Sequence, residues 1–325
     1  MKEYLIRRAL QLIPVLILVS LFSYFIITLA PGSPADMYIT DEMTEEQERQ
    51  VYIDMGLDKS IPEQYLAWVK KVLQGDLGKS LYTNHQITEE IDGKLENTIL
   101  LMGAAFIFAL LVAVPVGLIC GMKKGSAFDH FVCGLTHVFI SVPGFWLAIM
   151  LILLFSLKLG WLPTSGMHSL NNDSVIDLIK HMIMPVIVLS LENIATFIKY
   201  VRSNTISQME EEYVMTAESK GCSGRQILFG HVMKNTLLPI ITLAGMRLAS
   251  LVVGSFIVES VFGWPGLGRM GMTAINNRDY PLIMAYTMLS CIVLIVGNFI
   301  ADILYAAADP RVKKSMLSAL DEGGK

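Results

Sequence analysis

The sequence predicts an all-α membrane protein of six transmembrane helices with both termini in the cytoplasm, and three observations carry that expectation. Of the 325 residues, 53% are hydrophobic and 17% charged, against about 45–50% apolar and about 25% charged in ordinary soluble domains. The apolar residues gather into six runs, near 9–30, 98–120, 136–159, 181–200, 237–262 and 281–306, each long enough to cross a hydrocarbon core of about 30 Å as a helix. Lys and Arg are shared unequally between the two sides that six crossings create, fourteen on the side of the N-terminus and ten on the other. By the positive-inside tendency the N-terminus, the 199–236 loop and the C-terminus face the cytoplasm.

The elements follow in order. The first run comes after Lys2, Arg7 and Arg8, like the start of a signal peptide, but it exceeds the roughly 7–15 apolar residues of such a segment and is expected to stay as a helix. Segment 31–97 holds six basic and fourteen acidic residues, net −8. It is expected to form a small extracytoplasmic helical cap, because Thr44-Glu-Glu-Gln47 has the capping-box pattern and Ile61-Pro-Glu-Gln64 places Pro62 in a first helical turn. Pro14, Pro115 and Pro185 lie inside runs, where neighbouring helices satisfy the freed carbonyls, so kinks rather than breaks are expected. Between runs four and five, Glu210 to Lys220 reads as a short helix closed by Gly221, and Ser223-Gly-Arg-Gln226 is a second capping box that restarts a helix. The organisation is therefore a transmembrane helix at 1–30, an extracytoplasmic loop at 31–97, a five-helix core at 98–306 with a cytoplasmic loop at 201–236, and a tail at 307–325.

Several chemistries find no support. No basic tract suggests a nucleic-acid partner. The four cysteines lack CxxC spacing and read as free thiols in packing roles, and no pair among the six histidines has a spacing that fixes a metal site. Gly78-Lys-Ser80 resembles the end of a phosphate-binding loop, but Leu73 stands where that loop needs its first Gly. Neither HExxH nor GxSxG occurs, so no catalytic residue is expected.

Ionisable groups at membrane depth remain. Glu192 and Arg247 each lie roughly 15 Å from opposite faces at 1.5 Å per residue. Either they pair across helices four and five, locking one state or bordering a pathway, or each separately faces water or backbone carbonyls. Glu259, at the outer end of run five, either meets a substrate ammonium group or anchors the Gly263 to Gly268 turn. Trp264 and Gly266 in that turn belong to an outer gate or docking face, with an interfacial anchor as the alternative for Trp264.

The 213–239 segment is specific. Tyr213-Val-Met-Thr-Ala-Glu-Ser-Lys-Gly221, followed by His231-Val-Met-Lys-Asn-Thr-Leu-Leu-Pro239, resembles the cytoplasmic EAA loop of ATP-binding-cassette importer permeases in its dipeptide and oligopeptide form. The resemblance extends through Ile6-Arg-Arg8, Leu29-Ala-Pro-Gly-Ser-Pro34, Gly75-Asp-Leu-Gly-Lys-Ser80, Pro143-Gly-Phe-Trp-Leu147, Gly160-Trp-Leu-Pro-Thr-Ser-Gly166, Glu259 to Gly268, Asn277-Arg-Asp-Tyr-Pro281 and Asp309-Pro-Arg311. Together these strings favour the first of two permease subunits.

The resemblance implies a type I importer fold in a prokaryotic inner membrane. It also implies a homologous second permease, two ATPase subunits that bind ATP and Mg, an extracytoplasmic solute-binding protein, contact with membrane lipid, and no cofactor in this chain. It further implies that Tyr213, Thr216, Ala217, Lys220 and Gly221 belong to a coupling helix seated on an ATPase. Met215 stands where the generic motif has Glu, which removes a charge-specific contact there. Peptide is the expected cargo, with nickel or another small solute as the alternative. The competing class is a stand-alone, ATP-independent carrier, a channel or an intramembrane enzyme; carriers often show inverted repeats, and none is visible.

Overall fold

A computed structural model describes residues 2–29, 32–237, 240, 243–244 and 256–308. Most of run five, with Arg247, and the tail from 309 lie outside the described residues. Regular structure in the described part is helical, with two isolated bridges, Lys79–Gln86 and Ser169–Asn172.

Helix α1 (Lys2–Thr28) is followed by a single 3-10 turn (Pro34–Met37) and by the helices α2 (Glu45–Asp54), α3 (Ile61–Leu73) and α4 (Ile87–Ile91) of the segment expected to be extracytoplasmic. The two capping boxes form as the sequence predicts: Thr44 N–H donates to Gln47 Oε1 at 2.9 Å, and Ser223 N–H to Gln226 Oε1 at 2.8 Å. Each satisfies backbone donors that a helix start leaves open. Next come α5 (Lys94–Met122), α6 (Ala127–Ser141), α7 (Gly144–Leu151) with a π-helical continuation (Ile152–Lys158), and α8 (Val175–Met209). Helices α9 (Glu212–Ser219) and α10 (Gly224–Ile227) lead into a second π-helical stretch (Leu228–Val232). Helices α11 (Leu267–Asn276) and α12 (Tyr280–Ala308) close the described chain.

Among the described residues, Ile87–Met122 and Tyr280–Phe299 are long and apolar enough to cross a membrane, and the pair Ala127–Ser141 and Gly144–Lys158 adds a third if it is one span. Run three departs from expectation here. Its helix begins at Ala127, and the chain bends by 97° between α6 and α7. The reason is local: Pro143 has no N–H to continue the ladder and pushes the preceding residue out of the α region, and Val142 is extended at φ −80° and ψ 120°. Pro14, Pro115 and Pro185 lie inside continuous helices, as expected.

Two compact units are distinguished, Thr98–Trp264 with the chain from Leu294, and Lys2–Asn97 with Pro265–Val293. In the first, α8 is a central strut that buries Met184, Val188, Ile194, Phe197 and Val201 along its length. Helix α5 approaches it through Gly117 and Gly121: a Cβ added at Gly117 would stand 2.7 Å from Val201 Cβ, and one at Gly121 would strike Thr205. Small residues four apart let two helix backbones meet closely, a common device in membranes. Helix α6 packs along α8 as well. In the second unit, Ile87, Leu267, Met270, Ala274, Leu282 and Ala285 form the core.

Candidate functional site

The loop after α8 forms a short helix whose end is locked by backbone hydrogen bonds. Val214 and Ala217, three apart on α9, are buried, while Met215, Thr216, Glu218, Ser219 and Lys220 are exposed, Met215 to 57%. Tyr213 lies between these faces: its hydroxyl donates to Gln208 Oε1 at 2.9 Å, and its ring centroid is 6.4 Å from that of His231. At the other end Gly221 has φ +78°, its N–H donates to Glu218 O at 2.9 Å, and Cys222 N–H donates to Ala217 O at 3.1 Å. This pair of bonds is a Schellman stop, which requires a left-handed residue and so selects Gly. Beyond it, Ile227, Leu228 and Val232 are buried. Anchored by its apolar face and fixed at its end, α9 is a stiff knob.

Upstream of α9, helix α8 is tied to α6 by residues that the sequence does not single out. Arg202 on α8 grips Asp129 on α6 with both arms, Nε to Oδ1 at 2.5 Å and Nη2 to Oδ2 at 2.7 Å. Asp129 is buried and also accepts from Gly125 N–H at 2.9 Å. A bidentate guanidinium–carboxylate pair fixes orientation as well as distance. The available signal was Ser126-Ala-Phe-Asp129, since Ser126 Oγ caps α6 by accepting from Asp129 N–H at 3.2 Å.

In the same unit Glu259 is fully buried and accepts from Thr98 Oγ1 at 2.8 Å. Trp264 is also fully buried, packed with Leu101, Met184, Val188 and Phe262. It is therefore a core residue rather than an exposed interfacial anchor. The turn between them is closed by Trp264 N–H donating to Glu259 O at 2.9 Å, with Gly263 at φ +59°, and Gly166 N–H donates to Phe262 O at 2.8 Å. Two of the sequence strings, Gly160 to Gly166 and Glu259 to Gly268, thus meet. Glu192 sits exposed on α8, and Arg247 lies outside the described residues. At the start of α8, Asp177 accepts from Ser169 N–H at 2.7 Å and Ser169 Oγ at 2.8 Å. The Ser169 backbone bond, foremost, holds this carboxyl below the usual range although burial opposes it.

The second unit gathers further strings. Ser80 donates to the buried Asp279 at 2.5 Å, and Asp279 caps α12 by accepting from Leu282 N–H at 3.2 Å. Arg278, itself at φ +52°, reaches Asp36 at 3.7 Å and lies over Gly32, where an added Cβ would collide with its guanidinium. Asn97 Nδ2 donates to Pro265 O at 3.0 Å, and buried Gly266 precedes the first residue of α11 in extended backbone. Segments 32–36, 75–80, 265–268 and 277–281 are thereby held together on the face expected to be extracytoplasmic. Among the described residues no group of three or more His, Cys, Asp or Glu side chains converges to hold a metal.

Membrane-length apolar helices and a bundle built on one buried strut define a membrane-embedded helical protein. Residues 113–314 match the family described as binding-protein-dependent transport system inner membrane component, and residues 1–101 match its N-terminal companion. The chain belongs to that family. An oligopeptide transport system permease protein of Bacillus subtilis is 37% identical over 96% of this chain and 100% of its own length. A di/tripeptide transport system permease protein of Pseudomonas aeruginosa is 34% identical, and a dipeptide transport system permease protein of Escherichia coli 32% identical, each over 96% of this chain and 99% of the relative. In structure, the inward-facing MetNI methionine ABC transporter aligns with a TM-score of 0.51 at 15% identity, covering 67% of this chain and 97% of that one. That likeness shows the type I importer permease fold.

Proposed function

We propose that this chain forms half of the transmembrane pathway of an ATP-driven importer for di- or oligopeptides. It works with a second homologous permease, two ATPase subunits that bind ATP and Mg, and an extracytoplasmic binding protein that delivers the cargo. The peptide relatives support the cargo. The observation that carries the coupling role is α9: an eight-residue helix with one buried and one exposed face, stopped by a left-handed Gly. Seated in a groove of an ATPase, its exposed Met215, Thr216 and Lys220 face the partner, while Val214 and Ala217 pass displacement to the membrane helices.

Closure of the ATPases on ATP draws two such knobs together and favours one packing of the bundle; hydrolysis and release favour the other. Reversing a two-state equilibrium from about 1:99 to about 99:1 takes roughly 5.5 kcal/mol of differential binding. The knob transmits that energy, and the ATPases generate it. Glu192 borders the pathway or forms a midplane pair with Arg247, and Glu259, Trp264 and Gly266 support the outer gate.

Cysteine cross-linking tests the coupling role in the assembled complex. Met215→Cys is expected to cross-link to an ATPase subunit, with a yield that changes on ATP addition. A cysteine at 215 that never reaches an ATPase would contradict the assignment. Competition of labelled dipeptide uptake by unlabelled peptides, but not by nickel, tests the cargo.

A further inference from the structure

We propose that α3 is an interfacial helix that lies in the outer headgroup layer and docks on anionic phospholipid. The proposal rests on the reading that α1 crosses the membrane, and it concerns a surface outside the transport pathway.

Helix α3 is seated on the apolar part of α1. Ser20 Oγ and Tyr65 Oη are 2.9 Å apart, Tyr24 Oη donates to Gln64 Oε1 at 3.3 Å, and the Tyr24 ring meets Tyr65 edge-on at 5.6 Å and Trp68 at 6.4 Å. At about 1.5 Å per residue, Tyr24 and Ser20 stand roughly 6 and 12 Å before the end of α1 at Thr28. At that same level Phe22 and Ile26 of α1 are exposed to 60% and 63%, apolar side chains suited to a lipid surrounding. A helix gripping α1 at Ser20 and Tyr24 sits at headgroup depth or just below it.

Its surface fits that position. Tyr65 and Trp68 meet α1 with only part of the apolar face, and beside them Leu66 and Leu73, seven apart on one side, are exposed to 65% and 83%. Lys70 and Lys71 follow on the polar flank, both exposed. Apolar side chains below, aromatic rings at the boundary and lysines reaching phosphate are the parts of a helix lying in the membrane plane. The acidic α2, with Glu45, Glu46 and Glu48 in its first turn, has no such face.

The test uses the whole complex in vesicles of phosphatidylethanolamine and phosphatidylglycerol. The four native cysteines are replaced in a background that still takes up cargo, and nitroxide labels are placed singly at Leu66→Cys, Leu73→Cys, Glu63→Cys and Phe22→Cys. Labels at 66 and 73 should collide with oxygen in preference to a water-soluble nickel chelate, as at 22, with the reverse at 63. Lys70→Gln with Lys71→Gln should move the label at 73 toward the chelate in these vesicles but not in phosphatidylcholine alone. Labels at 66 and 73 that behave like 63, while 22 still reports lipid, overturn the proposal. So does shielding from both reagents, which would mean that a protein covers the face. A label at 22 that reports water would remove α1 from the bilayer and the proposal with it, a failure visible separately from any loss of uptake.

Discussion

Asp129 and Arg202 form a bidentate ion pair between α6 and α8. Asp129→Ala leaves the Arg202 guanidinium without its carboxylate partner, and loss of one member of a buried pair costs roughly 3–5 kcal/mol. Arg202 keeps 27% of its side-chain surface, so the lower end is expected, read as a fall in the thermal unfolding midpoint of the purified complex. Asp177 gives a prediction with a sign. Its folded carboxyl is held below the ordinary value, so its contribution is present above about pH 4 and is lost as pH falls through the lowered value. His168 and His181 stand 3.7 and 3.5 Å from the same oxygen. Asp177→Asn should therefore reduce stability at neutral pH and flatten the acid limb of an unfolding-versus-pH curve. The Asp129–Arg202 pair was not legible in the sequence, because an ion pair joining positions 73 residues apart leaves no local pattern.

Among elements, glycines at two kinds of site separate backbone demand from packing demand. Gly221 has open space around it but φ +78°, so Gly221→Ala costs only the left-handed strain, about 1–2 kcal/mol. Because that strain falls at the end of α9, transport should drop more than stability does, measured as uptake per molecule of ATP hydrolysed. Gly117 poses the opposite problem, since a Cβ there meets Val201; Gly117→Leu should push α5 from α8 and destabilise by roughly 1–3 kcal/mol. On the same helix Gly103 has nothing within 4 Å of an added Cβ, so Gly103→Ala should be neutral or stabilising by up to about 1 kcal/mol. A thermal-shift series over the three variants checks the order. Elements that depend on local chemistry were readable in advance: the Thr44 and Ser223 caps, Pro62 in a first turn, and Gly221 as a stop. The bend of run three was not drawn from Pro143, although the residue that causes it was in view, because apolar length alone cannot distinguish one straight span from two helices meeting at an angle.

At the scale of the molecule, hydropathy marked the chain as a membrane protein, and the order of short strings pointed to the family that the comparisons then showed. Hydropathy did not reveal what the strings do for the structure. Gly75 to Ser80 meets Asn277 to Pro281 through Ser80 and Asp279, and Gly160 to Gly166 meets the Glu259 turn through Gly166 and Phe262. Residues distant in the chain became neighbours only in three dimensions. As proposed above, α9 meets an ATPase, another face meets a binding protein, and the work comes from those partners. Uptake of labelled dipeptide into proteoliposomes tests this most directly, comparing the chain alone with the full set of two permeases, two ATPases and binding protein. Uptake that requires the full set and ATP is the predicted result; equal uptake by the chain alone without ATP would contradict it.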